Sequence, residues 1–240
     1  MNEFVLKKCS NVKDVFGAFL VEGATYAGKY DMPVVKTNID KLPDYLESYQ
    51  KAGRNKVIFP GTALHFYAFD YIFDGEHGVW NSLIRGIEFK RGFNLNKLEG
   101  YDYIIVPDLS LYGDMPISMQ IWNTYRARVI AYALQKLGYK VIINARWTNE
   151  NSFEFCFDGI EHGSIVAVGS YGCSKALADR HLFDRGLEEL IKKISPECII
   201  FYGTVTSSAK AILDKYSQEY VTFVPDTTSA MENYKHGDEK

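Results

Sequence analysis

The stretch Tyr103-Ile104-Ile105-Val106 is a short apolar run that ends at Pro107-Asp108. Runs of this length, rich in β-branched residues and closed by proline, are typical of a buried strand. A longer segment follows, from about Pro116 to Leu137, with apolar residues at helical spacing and Gly138 at its end. This succession of strand, loop and helix is the unit that decides the fold class.

The helix of this unit has a predicted start and a predicted inward face. Asp114 can cap its first turn, and Pro116 suits the first helical position because a missing N–H costs nothing there. Helical periodicity predicts that the inward face consists of Trp122, Tyr125, Val129, Ala133 and Leu137.

The same alternation of strands and helices continues along the chain. Further strands are predicted at 141–143, 165–168, 198–202 and 221–224, and further helices at 179–194 and 207–216. In the first hundred residues we predict strands at 33–35, 57–59 and 67–73, and a helix near 43–52. The strand at 67–73 is inferred from aromatic residues at every second position. Short, continuously apolar strands that alternate with helices imply parallel strands covered on both faces.

We therefore predict an α/β fold of mostly parallel strands alternating with helices. There are about eight candidate strands, and 240 residues is close to the roughly 250 typical of a (β/α) barrel. Polar residues follow several consecutive strands, whereas an open doubly wound sheet would concentrate them at one switch point. A barrel-like arrangement is thus favoured. Since no linker or repeat divides the chain, we expect one domain over residues 1–240, irregular at 1–55 and frayed at 227–240.

Composition excludes several classes of protein. Apolar residues make up 47% of the chain, and 27 basic against 30 acidic residues give a net charge of −3, which excludes disorder as the main state. No run approaches the roughly 18 apolar residues of a membrane-spanning helix, and the N-terminus lacks the order of a secretory signal. We expect a cytoplasmic protein without a membrane partner. The four cysteines have no C-x-x-C spacing, which argues against structural zinc or a disulfide framework.

The candidate site lies where the predicted strands end, because ligands of parallel α/β folds bind beyond those carboxyl ends. Asp108 follows one apolar strand and needs a partner there, and Arg146, which with Asn144 ends the next strand, is the obvious one. The pair forms either a structural ion pair or the two halves of a polar site, and we take both as candidate catalytic residues. Asp70 and Ser110 lie at comparable positions and are candidate ligand-binding residues.

Residues of the long helix and the following loop are further ligand-binding candidates. Arg126 is placed to meet a phosphate or carboxylate, and Asn123 precedes it by three residues. Polar residues on an amphipathic helix are nevertheless solvated by default. Trp147 is interpreted either as a residue that stacks on a base or as core, and the aromatic run at 67–73 chiefly as core.

The turn Gly169-Ser170-Tyr171-Gly172-Cys173-Ser174 joins a predicted strand to a helix. Small residues there let backbone amides approach an anion, so Gly169, Ser170, Gly172 and Cys173 are candidate ligand-binding residues. The turn lacks the Lys-Ser/Thr of a P-loop and the third glycine of a dinucleotide fingerprint. A tight turn that uses glycine for backbone reasons explains it as well. No histidine lies at a spacing that supports Cys173 as a nucleophile.

Several motifs together resemble one family. They are 107–116, 120–128, Arg146-Trp147, 153–159, 169–173 and Asp179-Arg180. With these motifs the chain is similar to the bacterial and phage proteins of domain of unknown function 4417, over roughly residues 55–205. The resemblance implies an association with phages or other mobile elements. It implies no activity, cofactor or metal.

Three functions remain open at this stage. The favoured one is binding of a phosphorylated small molecule or nucleotide-derived signal at the carboxyl ends of the strands. The second is a metal-assisted hydrolase or transferase, in which Asp108 and Asp70 hold a divalent cation, so the sequence does not decide whether the protein is an enzyme. The third is an accessory protein for single-stranded nucleic acid. Its basic strip would be Arg85, Lys90, Arg91 and Lys97, although a solvated helix face explains these residues too.

Overall fold

The computed structural model describes residues 17–52, 57–76, 78–85, 95–170 and 177–224. Two short strands, β1 (Tyr26–Ala27) and β2 (Met32–Pro33), form an antiparallel pair. The main sheet has seven strands, all parallel to their neighbours and arranged in chain order. They are β3 (Tyr45–Ser48), β4 (Thr62–His65), β5 (Tyr103–Ile105), β6 (Val141–Asn144), β7 (Ile165–Gly169), β8 (Cys198–Tyr202) and β9 (Tyr220–Phe223).

Helices occupy most of the connections between these strands. They are α1 (Asp70–Phe73), α2 (Val79–Arg85), α3 (Ile117–Lys136), α4 (Leu177–Ile194) and α5 (Ser207–Lys215). Short 3₁₀ turns lie at Ala18–Val21, Leu95–Leu98 and Glu150–Glu154. In this arrangement α3 connects β5 to β6, α4 connects β7 to β8, and α5 connects β8 to β9.

The sheet is nearly closed into a barrel. Parallel crossovers are almost always right-handed, so strands that follow one another in chain order place all their helices on one face of the sheet. The other face can only be buried if the twisted sheet curls on itself. The predicted α/β fold, with a barrel-like sheet in place of an open doubly wound one, is confirmed.

From β4 onward, alternate residues of each strand belong to two separate apolar clusters. The larger cluster includes Ile104, Val166 and Ile199 together with helix residues such as Val129 and Leu187, so it fills the layer between sheet and helices. The smaller cluster contains no helix residue and therefore fills the barrel interior. Its strand members are Leu46, Ala63, Tyr103, Ile105, Ile142, Ile165, Ala167, Cys198, Ile200, Val221 and Phe223. Burial on both faces explains why the strands are continuously apolar.

Three predictions in the N-terminal half were wrong. The helix expected near 43–52 is instead strand β3, because pairing with β4 outweighs local preference. The apolar run at 57–59 precedes β4, and Val57 and Phe59 are exposed. The aromatic run at 67–73 turns into helix α1, so only Phe73 of its alternate aromatics is fully buried.

The long helix α3 also differs from its prediction. Asp114 is exposed and makes no cap, and the capping position is Pro116. Trp122 and Leu137 are exposed, whereas Ile130, Ala131 and Leu134, outside the predicted stripe, are buried. The reason is that α3 packs against β6 and also against β2 and the 3₁₀ turn Ala18–Val21. A helix covered on several sides cannot be described by one apolar stripe.

Further features of the described residues bear on composition and boundaries. No helix within these residues is both long and apolar enough to cross a lipid bilayer. Cys156 and Cys198 are buried free thiols, and burial raises the pKa of each to about 12. Two of the basic-strip residues, Lys90 and Arg91, and the tail at 227–240 lie outside the described ranges. Residues 17–52, expected to be irregular, contain strands β1 to β3.

Candidate functional site

Two candidate catalytic residues meet at the carboxyl ends of β5 and β6. The Asp108 Oδ2 atom lies 3.5 Å from Nη1 of Arg146, and its Oδ1 accepts a hydrogen bond of 2.7 Å from Nδ2 of Asn144. Adjacent parallel strands bring these side chains together because all three residues end or follow paired strands. Asp108 is therefore held from two sides at the mouth of the barrel.

Tyr67 continues this chain of hydrogen bonds. Its hydroxyl donates to Oδ1 of Asn144 over 2.8 Å, while the amide nitrogen of Asn144 serves Asp108. Burial, and secondarily the charge of Asp108, raise the pKa of Tyr67 well above its ordinary value. The phenol is thus neutral and acts as a donor, and it fixes which end of the Asn144 amide faces Asp108.

Aromatic rings close the barrel interior beneath this network. The rings of Tyr67 and Tyr202 stack with centroids 4.6 Å apart, and the ring of His65 lies 4.4 Å from Tyr202. Nδ1 of His65 accepts the backbone N–H of Tyr67, and burial lowers the pKa of His65 to about 3. The imidazole is therefore neutral, with its proton on Nε2. A Cβ on Gly169 would lie 2.9 Å from Cε1 of Tyr67, so any larger residue there would force the Tyr67 ring to shift.

A second polar network lies beside the first. The Ser110 hydroxyl donates to Oδ1 of Asp70 over 2.9 Å, and the Ser110 carbonyl accepts from Nδ2 of Asn123. Oδ1 of Asn123 accepts from Arg126, whose Nη1 contacts both carboxylate oxygens of Asp74 at 2.7 and 3.0 Å. Burial raises the pKa of Asp70. These residues cross-link α1, the 108–116 loop and α3.

An open pocket of about 320 Å³ lies on the outer side of the barrel mouth. The guanidinium-bearing side chain of Arg146, 27% exposed, contributes to its wall. The other lining residues are Leu111, Tyr112, Gly113, Ala145, Trp147, Thr148, Val168, Gly169, Asp179, Leu182 and Phe183. The pocket is thus mainly apolar with few polar groups, as small-molecule sites usually are.

Trp147 lies in the wall of the pocket and is largely buried. It is 8% exposed, and its ring packs against Phe183 at 5.3 Å and Phe157 at 5.9 Å between centroids. Tyr112, which was not a candidate, is 56% exposed on the same pocket. An exposed ring is better placed than a buried one to stack on a planar ligand.

The remaining candidates are divided among different places. Asn123 and Arg126 do not line the pocket, because both are bonded within the second network. Ser170 is buried and its N–H donates to the Tyr202 carbonyl over 3.0 Å. Gly172 and Cys173 lie outside the described residues. No group of three or more His, Cys, Asp or Glu side chains within the described ranges is arranged to hold a metal ion.

Besides Tyr112, sequence reasoning missed four residues of this region. Tyr67 was assigned to a core run, and Tyr202 was seen only as the end of a strand. Asp74 could not be linked to Arg126 because the segment before it, residues 67–73, was predicted as a strand. Asp179 follows the glycine turn and was noted only as a helix start. The usable signal was the position of Tyr202 at a strand end, where polar residues face the mouth.

Comparisons with known proteins extend the resemblance beyond 55–205. The family model described as domain of unknown function DUF4417 matches residues 24–221. The "Gene 1 protein" of Mycobacterium phage L5 is 35% identical over 175 residues, which cover 72% of this chain and 71% of that protein. The "Gene 1 protein" of Mycobacterium phage D29 is 36% identical over 143 residues, covering 60% of this chain and 49% of that protein. No solved structure matches significantly. The chain therefore belongs to the phage-associated family described as domain of unknown function DUF4417.

Proposed function

We propose that the protein binds a small phosphorylated molecule in the pocket beside Arg146. The observation that carries this proposal is the open volume of about 320 Å³ at the carboxyl ends of the strands, with an arginine in its wall. Ligands of parallel α/β folds bind at this end of the sheet. Guanidinium groups match phosphate oxygens in shape and charge.

The contacts of Arg146 support a ligand-binding role. Its 3.5 Å separation from Asp108 is long for a charge-assisted hydrogen bond, and a guanidinium carries five N–H donors. Arg146 can therefore keep Asp108 as an orienting partner while it binds an anion. Asp108 is itself fixed by Asn144, so the arginine is held in place before a ligand arrives.

Titration calorimetry with inorganic phosphate, ribose 5-phosphate and nucleoside monophosphates tests this proposal. We expect binding of at least one phosphorylated compound, and a loss of about 10- to 100-fold in affinity for Arg146→Ala. Lys140→Ala is the matched control, because Lys140 precedes the same strand at its opposite end and pairs with exposed Asp40. Absence of binding by every compound, or equal losses in both variants, would contradict the proposal.

A hydrolase or transferase acting on the same ligand is the second candidate function. It is favoured by the placement of Asp108, whose Oδ2 lies close to Gly169, a residue of the pocket wall. A carboxylate fixed by Asn144 and Arg146 can accept a proton from a bound water. Turnover of a bound compound that disappears in Asp108→Asn, with its binding retained, would support this activity. Unchanged turnover in that variant would remove Asp108 from the reaction.

A further inference from the structure

Two residues of the pocket are left unused by the proposed function. Asp179 lies in the first turn of α4, is exposed, and makes no hydrogen bond or ion pair with another described residue. Tyr112 belongs to the 108–116 loop and is 56% exposed. A carboxylate and an open aromatic ring thus share one pocket with Arg146.

These residues come from different walls of the pocket. Arg146 follows β6, Asp179 lies in the first turn of α4 after β7, and Tyr112 is in the loop between β5 and α3. A ligand that fills the pocket can place its phosphate at Arg146 and another polar group at Asp179. A volume of about 320 Å³ is at the lower end for small-molecule sites, which favours a single mononucleotide over a dinucleotide.

We infer that the phosphorylated ligand is a guanine nucleotide, whose base stacks on Tyr112 and is recognised by the Asp179 carboxylate. This inference rests on the proposed function. Guanine carries two adjacent donors, N1–H and the 2-amino group, and a carboxylate has two acceptor oxygens that match them. At the same edge adenine carries one donor, the 6-amino group, and beside it the acceptor nitrogen N1, which the carboxylate repels. The tyrosine ring can stack on any base, so the specificity for guanine comes from the carboxylate.

The position of Asp179 also suits the N-terminus of a helix, where acidic residues are favourable for structural reasons alone. That explanation predicts an effect on folding and none on base preference. A change from Asp179 to Asn keeps the size of the side chain and replaces one acceptor oxygen by an N–H₂ donor. The change therefore separates the two explanations.

The experiment is calorimetric titration of the full chain with GMP, IMP, XMP and AMP. For the wild type we expect GMP to bind more tightly than IMP, which lacks the 2-amino group, and AMP to bind at least about 10-fold more weakly than GMP. Asp179→Asn should lower the affinity for GMP by about 10-fold and raise the affinity for XMP, because the 2-oxo group of xanthine accepts a hydrogen bond from the new amide. Glu189→Gln, which alters a partly exposed acidic residue that pairs with Lys192 on the same helix, is the control.

The stacking role has its own variant. Tyr112→Ala should weaken all four nucleotides to a similar degree, while Tyr112→Phe should leave their affinities unchanged. Binding without preference for guanine, or an unchanged ratio of GMP to XMP affinity in Asp179→Asn, overturns this inference and leaves the proposed function intact. Failure of all phosphorylated compounds to bind the wild type overturns both.

Discussion

Gly186 lies in the middle of α4, directly against the indole of Trp147. A Cβ built on Gly186 would overlap the Nε1, Cδ1 and Cε2 atoms of that ring. Alanine is otherwise the better residue inside a helix, by about 1 kcal/mol over glycine. Gly186→Ala therefore sets helix propensity against packing, and the sign of its effect depends on whether Trp147 can move.

The surroundings of Trp147 indicate that it cannot move cheaply. The ring is packed by Phe183 and Phe157 and is 8% exposed, and indole is rigid. Overpacking of a dense core costs about 1–3 kcal/mol, and a clash with three ring atoms belongs at the upper end. Subtracting about 1 kcal/mol for helix propensity leaves a net loss of about 2 kcal/mol. For a chain of this size that corresponds to a melting temperature lower by about 4–8 °C.

Urea and thermal unfolding of four proteins measure this effect: wild type, Gly186→Ala, Trp147→Leu and the double variant. Once the indole is removed, Gly186→Ala should be neutral or stabilising by up to about 1 kcal/mol, so its effect reverses sign. Because Trp147 lines the pocket, Gly186→Ala should also lower the affinity for the proposed ligand. A Gly186→Ala protein as stable as the wild type, or equally destabilised with and without Trp147, would refute the reasoning.

Three further predictions concern the barrel mouth. Burial lowers the pKa of His65 from 6.5 to about 3, so the folded state opposes protonation of the imidazole. The free energy of unfolding therefore has its full value above about pH 6.5 and should be about 2 kcal/mol lower at pH 5. Chemical unfolding at both pH values should show this loss in the wild type and not in His65→Asn. Asp74→Ala removes the carboxylate partner of the mostly buried Arg126 and should lower the free energy of unfolding by about 2 kcal/mol. An unchanged urea midpoint would mean that this ion pair does not stabilise the fold. Gly169→Ala should lower the free energy of unfolding by about 1–2 kcal/mol in the same assay, because the new Cβ contacts Tyr67. An unchanged value would mean that the Tyr67 ring moves aside without cost.

The second half of the fold could be predicted because each strand there is marked by a continuous apolar run. Runs such as Val141-Ile142-Ile143 are buried on both faces, so they are apolar throughout, and glycine or proline separates most of them from the helices. β3 lacks this signal, because one of its four residues is buried and the others are partly or fully exposed. Its strand conformation comes from pairing with β4, a contact between distant residues that local periodicity does not contain.

Only those residues of the candidate site that directly follow predicted strands could be placed from the sequence. Asp108 and Arg146 follow adjacent strands, so the rule for parallel sheets brings them together. Arg126 was expected to meet a ligand, and its actual partner, Asp74, follows a segment whose turn into α1 was not predicted. Trp147 follows a strand as Arg146 does, yet it packs inward because Gly186 of α4 leaves room for the ring. Side-chain direction in loops depends on such space, which only the assembled fold defines.

The closed interior of the barrel determines where a ligand can bind. The rings of Tyr67, Tyr202 and His65 occupy the mouth, so the open volume is displaced outward, between the ends of β6 and β7 and the start of α4. The interior and the pocket are nevertheless joined by hydrogen bonds through Asn144 and Asp108. A phosphate that shares the guanidinium of Arg146 with Asp108 weakens the hold of that arginine on the carboxylate, so Asp108 depends more on Asn144, and Asn144 on Tyr67. Binding at the surface should therefore order the aromatic layer inside the barrel, and the affinity should be reduced by the conformational entropy that this layer loses.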